Sequence, residues 1–186
     1  MIDLVGDLRC RKIGKLFDII DTDDDGMIDV TDYEAFGQRL AEHSGTHMTE
    51  AQVAEMRETF KQIWDEFQAG ADKDADNKVN KEEFTNSLLV PQVTEPARIV
   101  RYIGLTCNLL FGLADSDRNG RISKQEHMNV GTKVLRLSET EAATSFSKLD
   151  FWKKGYLTMD AYIVAYTEFL TSPLAISAGN YLFGNF

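Results

Sequence analysis

DSDRNGRISKQE, Asp115 to Glu126, is the stretch on which the fold turns. It places oxygen-bearing side chains at positions 1, 3, 5, 9 and 12 (Asp115, Asp117, Asn119, Ser123, Glu126), a glycine at position 6 (Gly120) and an aliphatic residue at position 8 (Ile122). A hard dication such as calcium needs six to eight oxygens. Twelve residues can wrap one ion with ligands from positions 1, 3, 5, 7, 9 and 12, position 7 using its backbone carbonyl, here that of Arg121. Gly120 suits the unusual backbone turn the wrap requires. Glu126 can chelate with both oxygens, and Ser123 reaches the ion through water. Several oxygen-bearing types at fixed offsets make the pattern specific, so a merely solvated acidic turn explains it poorly.

The same plan recurs three more times, at DTDDDGMIDVTD (21–32), DKDADNKVNKEE (72–83) and DFWKKGYLTMDA (150–161). The eighth positions are Ile28, Val79 and Leu157. Loop one offers Asp21, Asp23, Asp25, the Met27 carbonyl and Asp32. Its final acid is one methylene shorter than glutamate, so it reaches an ion less easily with both oxygens. A smaller cage suits six-coordinate magnesium as well as calcium, and a mixed site is expected here. Loop two offers Asp72, Asp74, Asp76, the Lys78 carbonyl and Glu83. Asn77 stands at its sixth position, and asparagine is the best non-glycine residue for a left-handed backbone. Loop four keeps Asp150 and Gly155 but has Trp152, Lys154 and Ala161 at positions 3, 5 and 12. No ion is expected there. Three calcium sites follow, with magnesium competing most at 21–32.

Self-similarity at this period implies a helix on each side of every loop. Ile13, Leu16, Phe17 and Ile20 fall at helical spacing before loop one, and Tyr33, Phe36 and Leu40 after it. Met56, Phe60, Ile63, Trp64 and Phe67 make a stripe before loop two, opened by a capping box at TEAQ (49–52). A second such box, SETE (138–141), precedes Ala142, Phe146 and Leu149. Nothing alternates at period two for long. The expected fold is all-α: four helix–loop–helix units in two packed pairs, with one-rung β pairing between loops. VPQVTEP (90–96) marks the main break. The halves are then 1–90, with units one and two, and 97–186, with units three, four and an apolar tail.

Composition narrows function. Asp and Glu number 30 against 20 Lys and Arg, a formal charge of −10. That argues against nucleic acid or an anionic membrane as partner and favours cations. Cys10 and Cys107 sit in no zinc-like spacing. There is no signal-peptide pattern, no apolar run nearing the ~20 residues of a membrane span, and no lipidation motif. A cytoplasmic location is expected. No phosphate-binding loop or nucleophile elbow is present, and no catalysis is expected.

These loops resemble those of EF-hand proteins. The closer resemblance is to the invertebrate sarcoplasmic calcium-binding proteins, over essentially the whole chain. Asp32, the silent fourth loop and the TSP…AGN…G pattern of the tail LTSPLAISAGNYLFGNF (170–186) carry it. It implies a cytosolic calcium and magnesium buffer of muscle or nerve, monomeric or weakly dimeric. Calexcitin-like proteins and coelenterazine-binding proteins share the architecture. The alternatives are therefore a calcium sensor with a protein target and, behind it, a luciferin-binding protein. The tail residues Leu174, Ile176, Tyr181, Leu182, Phe183 and Phe186 are too apolar to lie free in water, and the expectation is that they fold back and fill the core.

Overall fold

The apolar stripes form helices, and the acidic loops separate them. The structure is a computed structural model and describes residues 7–43, 48–68, 70–73 and 75–185. In chain order the elements are α1 (Leu8–Ile20), β1 (Met27–Ile28), α2 (Val30–His43), α3 (Glu50–Ile63), β2 (Val79–Asn80), α4 (Lys81–Leu89), α5 (Pro91–Thr94), α6 (Pro96–Ala114), β3 (Arg121–Ser123), α7 (Lys124–Lys133), α8 (Glu139–Leu149), β4 (Tyr156–Thr158) and α9 (Met159–Thr171). The strands are the eighth positions and their neighbours. Ile28 pairs with Val79 in one antiparallel ladder and Ile122 with Leu157 in the other. The fold is mostly helical with two small strand pairs, as expected.

Helix starts are chemically specified. Thr49 and Gln52, Asn80 and Glu83, Ser123 and Glu126, and Ser138 and Glu141 each form a reciprocal capping box. Each box satisfies donors that the first helical turn cannot. VPQVTEP is not a bare linker, because Pro91 and Pro96 each open a helix, the first a single turn. Proline suits that position, where no amide is needed. The α3 stripe does not run on as a regular helix. Trp64–Gln68 form a π-helical turn that buries Trp64, Phe67 and Gln68.

α6 amends the statement that no apolar run nears spanning length. Its 19 residues have a mean hydropathy of 1.2. It serves as a core helix, with Ile99, Ile103, Cys107, Leu110 and Phe111 buried. The core is one cluster that runs from Ile13 to Phe183. In it Phe67 meets Tyr102 of α6, ring centroids 5.1 Å apart.

The tail closes over this core only in part. Leu182 and Phe183 are buried, and Phe183 packs on Phe169 and Tyr166 with centroids 4.8 and 5.8 Å away. Leu174 and Ile176 are instead exposed, because the chain crosses the surface there before turning in; Phe186 lies outside the described residues. The anchor is Lys12 of α1, which is fully buried. Its ammonium donates to the Glu168 and Ser172 carbonyls at 3.0 and 2.7 Å and to Asn180 Oδ1 at 3.0 Å. Three acceptors, two of them carbonyls at the C-terminal end of α9, offset the cost of burying that charge. Burial pulls the lysine down to about 8. Gly179 lies so close to α9 that an added methyl would sit 2.2 Å from the Ala165 carbonyl oxygen.

Candidate metal centres

The four loops share one backbone. The fourth residue of each (Asp24, Ala75, Arg118, Lys153) is left-handed, with φ between 52° and 61°. So is the sixth: Gly26, Asn77, Gly120 and Gly155, with φ of 82°, 65°, 77° and 80°. Asn77 thus takes the turn expected of it. Glycine has no Cβ to strain there, and asparagine tolerates the region better than most residues. The first acid then locks the loop. Asp21, Asp72, Asp115 and Asp150 accept from the amides of those sixth residues at 3.0, 2.8, 2.8 and 2.7 Å.

The twelfth residue closes three loops and not the fourth. Glu126 accepts from the Ser116 and Ser123 amides, each at 2.8 Å, one on each oxygen. Glu83 does the same with Lys73 and Asn80, each at 3.1 Å. Asp32 makes the equivalent pair with Thr22 at 2.9 Å and Asp29 at 3.0 Å despite its shorter side chain. Ala161 has no carboxylate, and its amide donates to Thr158 Oγ1 instead. Burial pushes Glu126 up, but the hydrogen bonds from Ser123 and Ser116 outweigh it and hold the acid low. It therefore stays an anion, the form a cation needs.

Among the described residues, two loops gather carboxylates at metal-binding range. Oxygens of Asp21, Asp23 and Asp25 lie within 4.8 Å of one another, as do those of Asp115, Asp117 and Glu126. Asp21 Oδ1 is buried and has no hydrogen-bond partner. Burial raises the Asp21 carboxyl, and the Asp32 charge adds to that effect against the amide of Gly26. A buried anionic oxygen without a donor is costly, and a bound cation would satisfy it. The donor set fits calcium. Asn119 joins the loop-three acids, its amide nitrogens donating to Asp115 and Asp117. In loop two Asp76 accepts from the Lys78 amide at 2.8 Å, while Asp74 lies outside the described residues.

The sequence matches the family model for an EF-hand domain pair over residues 11–89 and that for an EF hand over 108–129. This is an EF-hand protein. Among curated relatives it is 27% identical to calerythrin of Saccharopolyspora erythraea, covering 85% of this chain and 89% of that one. It is 25% identical to the luciferin-binding protein of Renilla reniformis (94% and 92% covered) and to the sarcoplasmic calcium-binding protein alpha-B and -A chains of Penaeus sp. (88% each). The sarcoplasmic calcium-binding protein of amphioxus superposes with a TM-score of 0.79 over 100% of this chain and 99% of that one, at 23% identity. The chain is thus a calcium-binding EF-hand protein related to the sarcoplasmic calcium-binding proteins.

Side-chain contacts between EF-hand loops, beyond the expected rung, escaped the sequence reading. Lys78 stands at position 7 of loop two, and its ammonium reaches across the β1–β2 rung to Asp25 at 2.7 Å, with Asp29 4.0 Å away. That hydrogen bond lowers the Asp25 carboxyl and raises Lys78. Across the other rung the Arg121 guanidinium lies over Tyr156, 4.2 Å from its centroid. Position 7 of one loop thus leans on its sister in both pairs. Trp152, at the third position of loop four, does not pack into the loop but is exposed, edge-on to the equally exposed Phe151.

Proposed function

We propose that this EF-hand protein is a cytosolic calcium and magnesium buffer with three working loops and one silent one. Loop one would bind through Asp21, Asp23, Asp25, the Met27 carbonyl and Asp32. Loop two would use Asp72, Asp74, Asp76, the Lys78 carbonyl and Glu83, and loop three Asp115, Asp117, Asn119, the Arg121 carbonyl and Glu126. The ion supplies positive charge and ordered coordination; the chain supplies the preformed turn and the negative oxygens. Each dication offsets two of the ten net negative charges and stabilises the fold by mass action, by about 2.7 kcal/mol at a hundredfold excess over Kd.

The observation that carries the buffer reading is the closed interior. Sensors open a flexible, Met-rich groove on binding calcium. Here Leu182 and Phe183 plug the core, and Lys12 ties the tail to α9. The exposed large apolar residues are spread over α5, α6, loop four, α9 and the tail. Asp32 supports magnesium competition at loop one, because it closes the same two backbone donors with a shorter arm. The free thiols of Cys10 and Cys107 fit a reducing compartment.

Calorimetric titration with calcium, with and without millimolar magnesium, tests the proposal. Three sites, at least one weakened by magnesium, are expected, with no calcium-dependent binding of an amphipathic helical peptide. Tight peptide capture on calcium loading would make the protein a sensor.

A second reading has one observation behind it. In the core around Tyr102, the Tyr33 and Tyr166 hydroxyls, the Thr106 hydroxyl and the Gln68 amide nitrogen are buried without completing a hydrogen bond. Such atoms could serve a small buried ligand, as in a luciferin-binding protein. Titration with coelenterazine, followed by quenching of Trp64, separates this reading from the first.

A further inference from the structure

One cleft is lined mainly by helices and not by the ion-ligand positions of the loops. It is a cleft of ≈ 690 Å³ at the seam between the first EF-hand pair and the segment after α7. That volume lies within the range of small-molecule sites. Arg11 and Lys15 of α1, Arg39 of α2, Lys81 at the start of α4 and Arg136 beyond α7 all line it. In a chain of net charge −10, five cations around one cleft are out of keeping with the rest of the surface. Among the described residues Asp18 is the only acid in the lining, and Lys81 already holds it at 2.6 Å.

The remaining cations are under-satisfied. Arg39 gives one terminal nitrogen to the Ile19 carbonyl at 3.0 Å, but its Nε is buried and has no acceptor. Burial lowers Arg39, and the like charge of Arg136 adds to this. Burial likewise lowers Lys15, whose ammonium donates to the Asn185 carbonyl rather than to a carboxylate. Arg11 has no ion pair among the described residues. Arg136 makes only a long, exposed one, 3.8 Å from Asp24. Ile19, Val134 and Leu135 supply apolar wall between these charges.

We propose that this cleft binds a small organic anion, a carboxylate, phosphate or sulfonate on a compact apolar body. The guanidinium groups of Arg39, Arg11 and Arg136 would take the anionic head, and Ile19, Val134 and Leu135 the body. Planar guanidinium matches such oxyanions with paired hydrogen bonds, which a lone ammonium does not. An acceptor delivered to Arg39 Nε would relieve the cost of leaving that donor buried and unpaired. None of the proposed ion-binding carboxylates lines the cleft, so this site goes beyond the buffering reading.

The test uses the calcium-loaded full chain, isotope-labelled for amide NMR, titrated separately with naphthalene-2-sulfonate, neutral 2-naphthol and inorganic sulfate. The sulfonate should give saturable shifts along α1 and at residues 134–136, binding at least tenfold more tightly than either control. The double variant Arg11→Gln/Arg136→Gln alters two exposed side chains and should keep the wild-type melting curve while weakening the sulfonate at least tenfold. Arg101→Gln, a surface change beside Glu66, should leave binding unaltered. Equal binding of 2-naphthol, sulfate as tight as the sulfonate, shifts confined to another region, or an unweakened double variant would each overturn the proposal. The comparison of the three probes on the wild-type chain holds even if the variant were to unfold.

Discussion

Loops three and four face each other across one rung and have nearly the same backbone. Arg118 and Lys153 share a left-handed fourth position, and Gly120 and Gly155 a left-handed sixth. Asp115 and Asp150 lock those glycine amides at 2.8 and 2.7 Å. Ile122 and Leu157 are buried opposite each other. They part at positions 3, 5 and 12, where Asp117, Asn119 and Glu126 confront Trp152, Lys154 and Ala161. Shape therefore resides in positions 1, 4, 6 and 8, and on the proposed reading the difference in ion chemistry lies at 3, 5 and 12. A loop can lose the second and keep the first, because its partner's strand needs something to pair with.

The sharpest break in that comparison is Glu126→Gln. The glutamate closes loop three on two amides and two hydroxyls, and a neutral amide cannot do so as an anion. Losing two charge-assisted contacts should cost on the order of 3–4 kcal/mol of ion binding, several hundredfold in affinity. Calorimetry should then count one site fewer. An unchanged count would mean position 12 does not separate the two loops.

Leu157→Ala asks the reverse question, whether loop four matters to loop three. Leu157 is 2% exposed, and truncating a buried leucine costs about 2–5 kcal/mol. Chemical denaturation with calcium should show a loss in that range, together with weaker binding at loop three. Lost stability with loop three untouched would reduce loop four to ordinary core.

His127 tests the join between these two units from the helix side. Its Nε2 lies 2.9 Å from Ser145 of α8, and burial pulls the imidazole down from 6.5 to about 4. A depressed histidine stays neutral in the fold but charges in the unfolded chain. The stability it contributes is thus full above pH 6.5 and is lost as pH falls toward 4. About 2 kcal/mol should disappear by pH 4.5 in the ion-free protein. Replacing it with glutamine should flatten that stretch of the pH–stability curve relative to wild type. Parallel curves would contradict the assignment.

What could be read beforehand follows the same division. Local patterns were legible: the stripe Ile13, Leu16, Phe17, Ile20 is the buried face of α1, and both capping boxes named from sequence form. The Asn77 turn was legible because one residue's own sterics decide it. Long-range polar contacts were not. Lys12 looks like any surface lysine until α9 and Asn180, more than 150 residues away, supply its acceptors. Nothing local to Lys78 says that its ammonium will reach the loop-one acids. The tail was half legible, since apolarity announced burial of Phe183 but not which residues the turn leaves outside.

Lys153 and Lys154 give the smallest effect and the cleanest limit on the comparison. Two adjacent cations, one of them at the fifth, ligand position, invite the idea that they replace an ion's charge by pairing with nearby acids. The structure gives them no ion pair among the described residues. Lys154 instead contributes its backbone amide to Asp150 at 2.8 Å, and Lys153 its amide to the Asp150 carbonyl at 2.9 Å. Both bonds survive any side chain able to take the same backbone. Reversing both charges should therefore change stability by no more than about 0.5 kcal/mol, the usual scale for exposed sites. Thermal melting of Lys153→Glu/Lys154→Glu at two salt concentrations checks it. A larger, salt-sensitive loss would show that the side chains do stand in for an ion. A null result leaves loop four held by its backbone alone, and makes the loss of positive charge there irrelevant to the grip of loop three.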